Sequence, residues 1–348
     1  MIHRLLTNGD VDEALAALAS WPEYRATPLR RLSTGARRVG VAELLYKDES
    51  TRFAAGSFKA TGAAYAVQRA VEEARMAGEP QPTLCCATDG NHGRAVAWAA
   101  ARFGCQAVIY LPDHALAERE RRIRALGART VRVGGSYDAA VELARGDAER
   151  EGWVVVSDTS DRPDDVGVLR IMAGYAVIVE EILDALGDAP PPTHAFLQAG
   201  VGTMAAALVM QLGRRLGGAA PRVVLVEPEA AACVLRSLEA NDAAAWIEGD
   251  LHTSMDCLAA GRVSAAAWPV LCEWVDGVIA IDDATCAAAL AAAAGGGLGQ
   301  PLDVGPSGIA GFAGLLAAGS SDAARAAFDL DGGSRVLVIG TEEALAGR

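Results

Sequence analysis

The sequence predicts an α/β protein with a mainly parallel β-sheet at its centre. Short apolar runs bounded by turn residues alternate with amphipathic helical stretches along the chain, which is the pattern of strand–helix–strand units. Several apolar runs lack the alternating polar residues of a half-exposed strand, as in RVLVIG at 335–340. We therefore expect helices on both faces of the sheet.

Six strands are predicted from these apolar runs. They are LCCAT at 84–88, AVIYLP at 107–112, RTVRV at 129–133, HAFLQA at 194–199, RVVLVEP at 222–228 and RVLVIG at 335–340. The helical period predicts helices at 60–78, 93–104 and 114–127. The proline-rich segment 188–194 is predicted to be a tight connection, and the glycine-rich segment 295–308 a loop.

The composition favours a globular protein that binds a small molecule. With 348 residues, of which 51% are apolar, the chain can form one large domain or two of ordinary size. A net charge of −13 and dispersed basic residues argue against nucleic acid as a partner. The amino-terminal segment lacks the apolar core of a signal peptide, and glycines and prolines interrupt the alanine-rich run at 284–318, so we expect no membrane segment.

The seven cysteines predict a cytoplasmic protein. They are dispersed, they have no C-x-x-C spacing, and their number is odd, which argues against a disulfide framework. His114, His194 and His252 lack the spacing of metal ligands. We therefore assign no metal.

The first candidate for chemistry is Lys59, in the segment YKDESTRFAAGSFKATGAAYAV. Gly56 and Ser57 are predicted to start a helix that presents Lys59 in its first turn, where the positive end of the helix dipole disfavours an ammonium. A lysine amine must be neutral to form a Schiff base with a carbonyl, so this position suits a covalent lysine. From the local sequence alone, an ordinary solvated lysine is the more common interpretation.

A second candidate is the segment QAGVGTMAAALVMQLGRRL at 198–216, which predicts a turn containing Gly200 and Gly202 between a strand and a helix. Glycines let backbone amides converge on an anion, and the helix N-terminus adds its partial positive charge, so a phosphate would fit there. The segment is neither a dinucleotide fingerprint nor a P-loop. A tight strand-to-helix connection explains it equally well.

The third candidate, ATDGNHGRAVAWAA at 87–100, places Thr88, Asp89, Asn91 and His92 in a glycine-flanked turn between a strand and a helix. Such turns lie at the carboxyl ends of strands, where open α/β sheets bind ligands. A helix cap made by Asp89 or Asn91 explains the same residues without any ligand.

Four further polar residues are weaker candidates, because each is equally well explained as a cap or a turn. They are Asp158, Glu227, Ser307 and Thr341.

Taken together and in this order, GSFKATG, TDGNHG, QAGVGTMA and the last strand followed by Thr341 resemble the fold-type II enzymes that use pyridoxal 5'-phosphate (PLP). Within that class, KDESTRF, ATDGNHGRAVAWAA, AVIYLP, VVVSDTS and VLVEPE most resemble the diaminopropionate ammonia-lyase family. The resemblance implies a tryptophan synthase beta-like PLP fold of two three-layer α/β domains with the cofactor between them. The implied domains are 1–81 with 163–348, which bind PLP, and a small α/β domain at 82–162. A homodimer is also implied.

The resemblance also implies which residues hold the cofactor. Lys59 would be the Schiff-base lysine, Phe58 would pack on one face of the ring, Asn91 would contact the ring hydroxyl, and Thr341 would hydrogen-bond the ring nitrogen. The phosphate would lie against Ala199, Gly200, Val201, Gly202, Thr203 and Met204. A hydroxyl at the ring nitrogen, in contrast to an aspartate, leaves the ring closer to neutral and so favours loss of a β-substituent over transamination.

By the same resemblance, two carboxylates join Lys59 in catalysis. Asp89 would remove the Cα proton of a D-amino acid and Lys59 that of an L-amino acid, while Asp158 would lie near the substrate. The implied reaction is α,β-elimination from 2,3-diaminopropionate, which gives pyruvate and two molecules of ammonia.

Two segments depart from the family pattern. SDRPDDVG at 160–167 replaces an aromatic-rich run, and Pro306 stands where the family has an acid before Ser-Gly. Serine, threonine or 3-hydroxyaspartate are therefore alternative substrates, and Arg162 would pair with the distal carboxylate of the last. A β-replacement synthase of the same fold is another alternative, and so is a binding protein that keeps the fold without catalysis.

Overall fold

The structure is a computed structural model, and it describes residues 6–88, 90–135, 137–242, 245–247, 249 and 251–345, with backbone only at 137 and 138. The strands, numbered in chain order, are β1 Leu29–Arg31, β2 Glu43–Asp48, β3 Thr83–Ala87, β4 Gln106–Pro112, β5 Arg129–Val133, β6 Val154–Val155, β7 His194–Gln198, β8 Arg222–Pro228, β9 Gly277–Ile281 and β10 Arg335–Gly340. The helices are α1 Asn8–Ala19, α2 Ser33–Val39, α3 Lys59–Ala77, α4 Asn91–Phe103, α5 Ala117–Ala125, α6 Tyr137–Glu151, α7 Val166–Leu186, α8 Thr203–Leu216, α9 Cys233–Ala240, α10 Trp268–Trp274, α11 Asp283–Ala294, α12 Pro306–Gly319 and α13 Asp322–Ala327.

The larger sheet has six strands in the order β1-β2-β10-β7-β8-β9. Only β1 runs antiparallel, against β2, and the other neighbours in this sheet are parallel. The smaller sheet has four parallel strands in the order β5-β4-β3-β6, all within residues 83–155. The predicted α/β class with mainly parallel sheets is therefore confirmed.

Helices cover both faces of the larger sheet, as the unbroken apolar runs predicted. Alternate residues of β10 belong to two different apolar clusters: Leu337 and Ile339 pack toward α3, α7 and α8, while Val336 and Val338 pack toward α2, α11 and α12. A strand buried on both faces has no polar alternation. Across the described residues, we find no helix long and apolar enough to span a lipid bilayer.

The six predicted strands form within about one residue of the expected limits, and α3, α4 and α5 lie within the three predicted helical segments or begin a residue or two earlier. The predicted loop at 295–308 is open from 295 to 305, after which Pro306 begins α12. Strand β2 was not predicted, because its run ELLYKD ends in two charged residues. Both charges are buried and paired, Lys47 with Glu181 and Asp48 with Arg30.

Candidate active site

Lys59 is the first residue of α3, where the chain turns back from the carboxyl end of β2. The preceding turn needs Gly56, whose φ of 60° lies in the left-handed region. A Cβ at this position would also lie 2.5 Å from Glu343 Cδ. The helix thus presents Lys59 in its first turn, as predicted, with a side chain that is 16% exposed.

Asp158 follows β6 and lies directly against Lys59, since its Oδ2 accepts a hydrogen bond from Lys59 Nζ. The same oxygen lies 3.7 Å from His92 Nδ1. Burial by itself favours the neutral acid, but the charge of Lys59 and its hydrogen bond outweigh burial and hold the pKa of Asp158 well below its ordinary value. The structure therefore brings a lysine and an ionised carboxylate into contact, although they are far apart in the sequence.

His92 is the second residue of α4 and faces the same cluster. Burial lowers the pKa of His92, so the ring is neutral at pH 7. Its Nε2 lies 2.7 Å from the carbonyl oxygen of Val156, which can only accept a hydrogen bond, so the single ring proton resides on Nε2. The Nδ1 atom that points toward Asp158 is then a bare acceptor.

The loop 199–202 joins β7 to α8 and forms the predicted glycine-rich turn. Gly202 has a φ of 85°, and a Cβ at Gly200 would lie 3.2 Å from the Cα of Leu258. No acceptor within the described residues binds the amides of residues 200–203. Free amides at the N-terminus of a 14-residue helix form a site for an anion such as phosphate.

Phe58 connects Lys59 to an aromatic residue and to a hydroxyl residue, Tyr175 and Thr341. The Phe58 ring lies 4.8 Å from the Tyr175 ring between centroids, and Lys59 Nζ lies 5.4 Å from the Phe58 centroid. The amide of Phe58 donates to the carbonyl oxygen of Thr341 at 3.0 Å. Thr341 Oγ1 accepts a hydrogen bond from Gln198 Nε2 at 3.0 Å, so the hydroxyl hydrogen of Thr341 is available to a further acceptor.

Asn91 begins α4, and its side chain contacts residues that the sequence analysis missed. Its Nδ2 donates to a carboxylate oxygen of Glu342 and lies 3.4 Å from Cys257 Sγ. Glu342 directly follows Thr341 beyond the carboxyl end of β10, and this position at the end of a parallel strand was a usable signal. Cys257 lies in an irregular segment with no pattern of its own, so no sequence signal pointed to it.

Arg119 of α5 was also missed, because it reads as one of several arginines in a charged helix. Its residue is only 4% exposed, and its Nη2 lies 2.8 Å from Asp256 Oδ1. The side chain packs on the turn before α4, since a Cβ at Gly90 would lie 2.2 Å from Arg119 Cδ. Burial raises the pKa of nearby Glu342, and the charge of Arg119 partly opposes this effect.

The remaining candidates differ in their surroundings. Asp89 lies outside the described residues. Glu227 accepts the amides of Val234 and Leu235 at the start of α9, which is the capping interpretation, and burial raises the pKa of Glu227 to about 7. Ser307 Oγ accepts the amide of Cys257 at 3.1 Å, close to Asn91.

Ala199 and Met204, two of the residues predicted to lie against the phosphate, are buried at the two ends of the glycine loop. The carbonyl oxygen of Val201 accepts a hydrogen bond from the amide of Ser264 at 2.9 Å. Thr203 Oγ1 donates to the carbonyl of Asp158 at 2.7 Å, which ties the loop to the acid beside Lys59. Arg162, in contrast, is exposed and binds Asp164, so the structure does not bring it to this cluster.

Comparisons with known proteins identify relatives over nearly the whole chain. A family model described as "Pyridoxal-phosphate dependent enzyme" matches residues 21–342. The diaminopropionate ammonia-lyase of Salmonella typhimurium is 33% identical over 364 residues, which cover 97% of this chain and 90% of the relative.

Solved structures agree with this relationship. The crystal structure of the Escherichia coli diaminopropionate ammonia-lyase with an aminoacrylate–PLP azomethine reaction intermediate has a TM-score of 0.89 and 31% identity, and the match covers 98% of this chain and 90% of that chain. Maize serine racemase, at a TM-score of 0.80 and 22% identity over 99% of this chain and 95% of that chain, shares the fold. These matches confirm the resemblance inferred from the sequence motifs and the tryptophan synthase beta-like fold that it implied.

Proposed function

The chain belongs to the family of pyridoxal-phosphate-dependent enzymes, and we propose that it is a lyase that eliminates ammonia from 2,3-diaminopropionate. The observation that carries this proposal is the contact of Lys59 Nζ with the buried Asp158 carboxylate, beside a helix N-terminus with free amides. A reactive amine, an ionised acid and an anion site are the groups that an amino-acid elimination needs. The products would be pyruvate and two molecules of ammonia, with one water consumed.

The residues present fit PLP. The amides of residues 200–203 would hold its phosphate, and Lys59 would bind it covalently through Nζ. Three buried polar atoms around Lys59 have no hydrogen-bond partner within the described part of the chain: Ser57 Oγ, His92 Nδ1 and Tyr175 Oη. Unbonded buried polar atoms are rare in folded proteins, so their grouping supports a ligand site at this position.

The free hydroxyl hydrogen of Thr341 fits the ring nitrogen. A hydroxyl donates to an unprotonated nitrogen, whereas an aspartate would keep the nitrogen protonated. Bound PLP supplies the electron sink that stabilises negative charge at Cα of the substrate.

The proton would be handled by Lys59 and its neighbours. Lys59 Nζ accepts the Cα proton of an L-amino acid, and Asp158 Oδ2 stabilises the ammonium that forms. The bare Nδ1 of His92, 3.7 Å from Asp158 Oδ2, is a further acceptor beside this pair. Asp89 takes the proton of a D-amino acid from the opposite face, an assignment that rests on the family resemblance.

We further propose two domains, formed by 1–81 with 163–348 and by 82–162, in a cytoplasmic homodimer. The two-domain division is supported by the strands of the four-stranded sheet, which all lie within residues 83–155. A reducing compartment is supported by the seven cysteines, which are all free thiols. The homodimer rests on the family resemblance.

The test begins with the absorption spectrum of purified protein, before and after adding D- and L-2,3-diaminopropionate, with ammonia and pyruvate measured together. We expect a visible cofactor band and an ammonia-to-pyruvate ratio of two to one. A ratio of one to one, found only with serine, threonine or 3-hydroxyaspartate, would retain a lyase and reject this substrate. The absence of a cofactor band after incubation with PLP would reject the enzyme and favour the alternative of a binding protein that keeps the fold.

Asp158→Asn tests the role of the acid. The variant should lose roughly 100-fold in kcat because the ammonium on Lys59 loses its counter-charge. The matched control is Asp161→Asn, an exposed acid three positions along that binds Arg262 at 3.2 Å.

Asp89→Asn should lower activity selectively toward the D-isomer, and an equal loss for both isomers would remove Asp89 from the mechanism.

A further inference from the structure

Glu342 places a buried carboxylate beside the proposed active site, and none of the roles assigned so far uses it. The residue is 5% exposed and directly follows Thr341. A carboxylate oxygen of Glu342 accepts a hydrogen bond from Nδ2 of Asn91, which begins α4 on the opposite side of the site. The contact joins an element of the six-stranded sheet to an element of the four-stranded sheet.

The start of α12 is shaped around this carboxylate. A Cβ at Gly305 would lie 2.5 Å from Glu342 Oε1, and a Cβ at Gly308 would lie 3.1 Å from Glu342 Cγ. The amide of Gly305 donates to the carbonyl oxygen of Glu342 at 3.2 Å. The glycines therefore leave a space that the Glu342 side chain fills.

Several charged or titratable groups face Glu342 from the elements around it. Arg119 faces it from α5, Asp256 and Cys257 from the segment before α10, and Cys286 from α11. Arg119 binds Asp256 at 2.8 Å, so its charge is shared between two acids. From α4, Asn91 Nδ2 donates a hydrogen bond to the Glu342 carboxylate.

A carboxylate has consequences for an amide that a neutral side chain does not have. Asn91 has a nitrogen end that donates and an oxygen end that accepts, and the two ends differ little in shape. In its ionised form, which the charge of Arg119 favours against burial, Glu342 only accepts hydrogen bonds and so selects the nitrogen end of Asn91. A glutamine would bond to either end and would leave both orientations populated.

We propose that Glu342 is a positioning residue that holds the side-chain amide of Asn91 in one orientation toward the cofactor. The inference rests on the proposed function, because it takes Asn91 to be the contact of the cofactor ring.

The test is a double-mutant cycle on the PLP-loaded enzyme with Glu342→Gln, Asn91→Ala and the double variant. The measured quantities are the dissociation constant of PLP and the position of the visible absorption band, and neither depends on the substrate. We expect Glu342→Gln to weaken PLP binding about tenfold, the size expected for a hydrogen bond to a charged group. In the Asn91→Ala background the same change should cost roughly twofold or less, since the partner is absent.

Two further variants distinguish a specific effect on Asn91 from a general loss of folding. Glu342→Asp keeps an acceptor-only side chain and should restore the band position of the wild type, even if binding is weaker. Glu343→Gln is the matched control, because Glu343 binds Arg94 and Arg122 at 2.5 and 2.6 Å, with no bond to Asn91. Its effect on PLP binding should be the same with and without Asn91.

Equal effects of Glu342→Gln in both backgrounds would overturn the proposal. So would an Asn91→Ala enzyme with unchanged PLP binding and spectrum, and that result would also remove Asn91 from the proposed cofactor contacts. A wrong substrate in the product assay would leave the cycle intact, so the two failures are distinguishable.

Discussion

The chain buries two clusters of charged side chains near the start of α3, and they differ in how completely their polar atoms are bonded. The first, called here the Lys47 network, consists of Thr27, Lys47, Glu49, Arg52 and Glu181. Lys47 Nζ lies 2.5 Å from Glu181 Oε2, and Arg52 binds both carboxylates with distances of 2.6 to 2.8 Å. Two cations and two carboxylates balance in charge, and all four side chains are at most 3% exposed.

The second cluster surrounds Lys59 and is incomplete. Lys59 and Asp158 contact each other, but Ser57, His92 and Tyr175 each keep a buried polar atom without a hydrogen bond to any described residue. Buried polar atoms are nearly always hydrogen-bonded, so the unbonded atoms around Lys59 support the proposed ligand site, whereas the fully bonded Lys47 network needs no ligand. The two clusters look alike in composition and differ in this bonding.

Lys59→Ala gives the largest expected effect. We expect turnover to fall more than about 1000-fold, because the variant removes the residue proposed as both the covalent lysine and the proton acceptor. The measurement is ammonia release per folded molecule, with circular dichroism as the check of folding. Lys47→Ala is the matched control and should fail by loss of stability instead, since Lys47 is fully buried in its network. An active Lys59→Ala enzyme would contradict the active-site assignment.

Glu181→Gln should break the Lys47 network. The change removes a carboxylate that binds Lys47, Arg52 and Tyr24, and leaves buried positive charge without compensation. We expect the free energy of unfolding in urea to fall by about 3–5 kcal/mol. A loss below about 1 kcal/mol, which is typical of an exposed ion pair, would mean that water enters the network.

Acidification should weaken the same network. Burial opposes ionisation of Glu181, but Arg52 and Lys47 outweigh it and lower the pKa of Glu181 to about 2. In the unfolded chain a glutamate has a pKa near 4.3, so unfolded protein binds protons first as pH falls. The stabilisation is therefore complete above about pH 5 and is lost toward pH 2. Unfolding measured across this range should show a steeper loss in wild type than in Glu181→Gln, and parallel curves would contradict this pKa.

Gly202→Ala, in the proposed phosphate loop, should have the smallest effect. The residue has a φ of 85°, and a Cβ there would lie 2.7 Å from Leu271 Cδ1. We expect a cost of about 1–2 kcal/mol in stability and weaker retention of PLP. Gly218→Ala, beyond the other end of α8 with no atom within 4 Å of the added Cβ, is the control and should change neither quantity. Equal retention of PLP in the two variants would argue against the phosphate site.

Local sequence was sufficient to predict the strands and turns that are marked by their own residues. Strands such as β8 and β10 are continuous apolar runs, and the glycines before α3 and α8 mark turns that few other residues form. The family resemblance of the combined motifs, in contrast to any one of them alone, implied that Lys59, Asn91, the 199–204 loop and Thr341 belong to one site.

The sequence by itself therefore determined the fold class, the family and the motifs of the site. Only the tertiary structure decided which charges meet. Lys47 and Glu181 are 134 residues apart, Lys59 and Asp158 are 99 apart, and Asn91 and Glu342 are 251 apart. Such pairs depend on how the two sheets and their helices pack, and neither periodicity nor spacing along the chain encodes that packing. The position of Glu342 after β10 was a usable signal, but its contact with Asn91 depends on this packing.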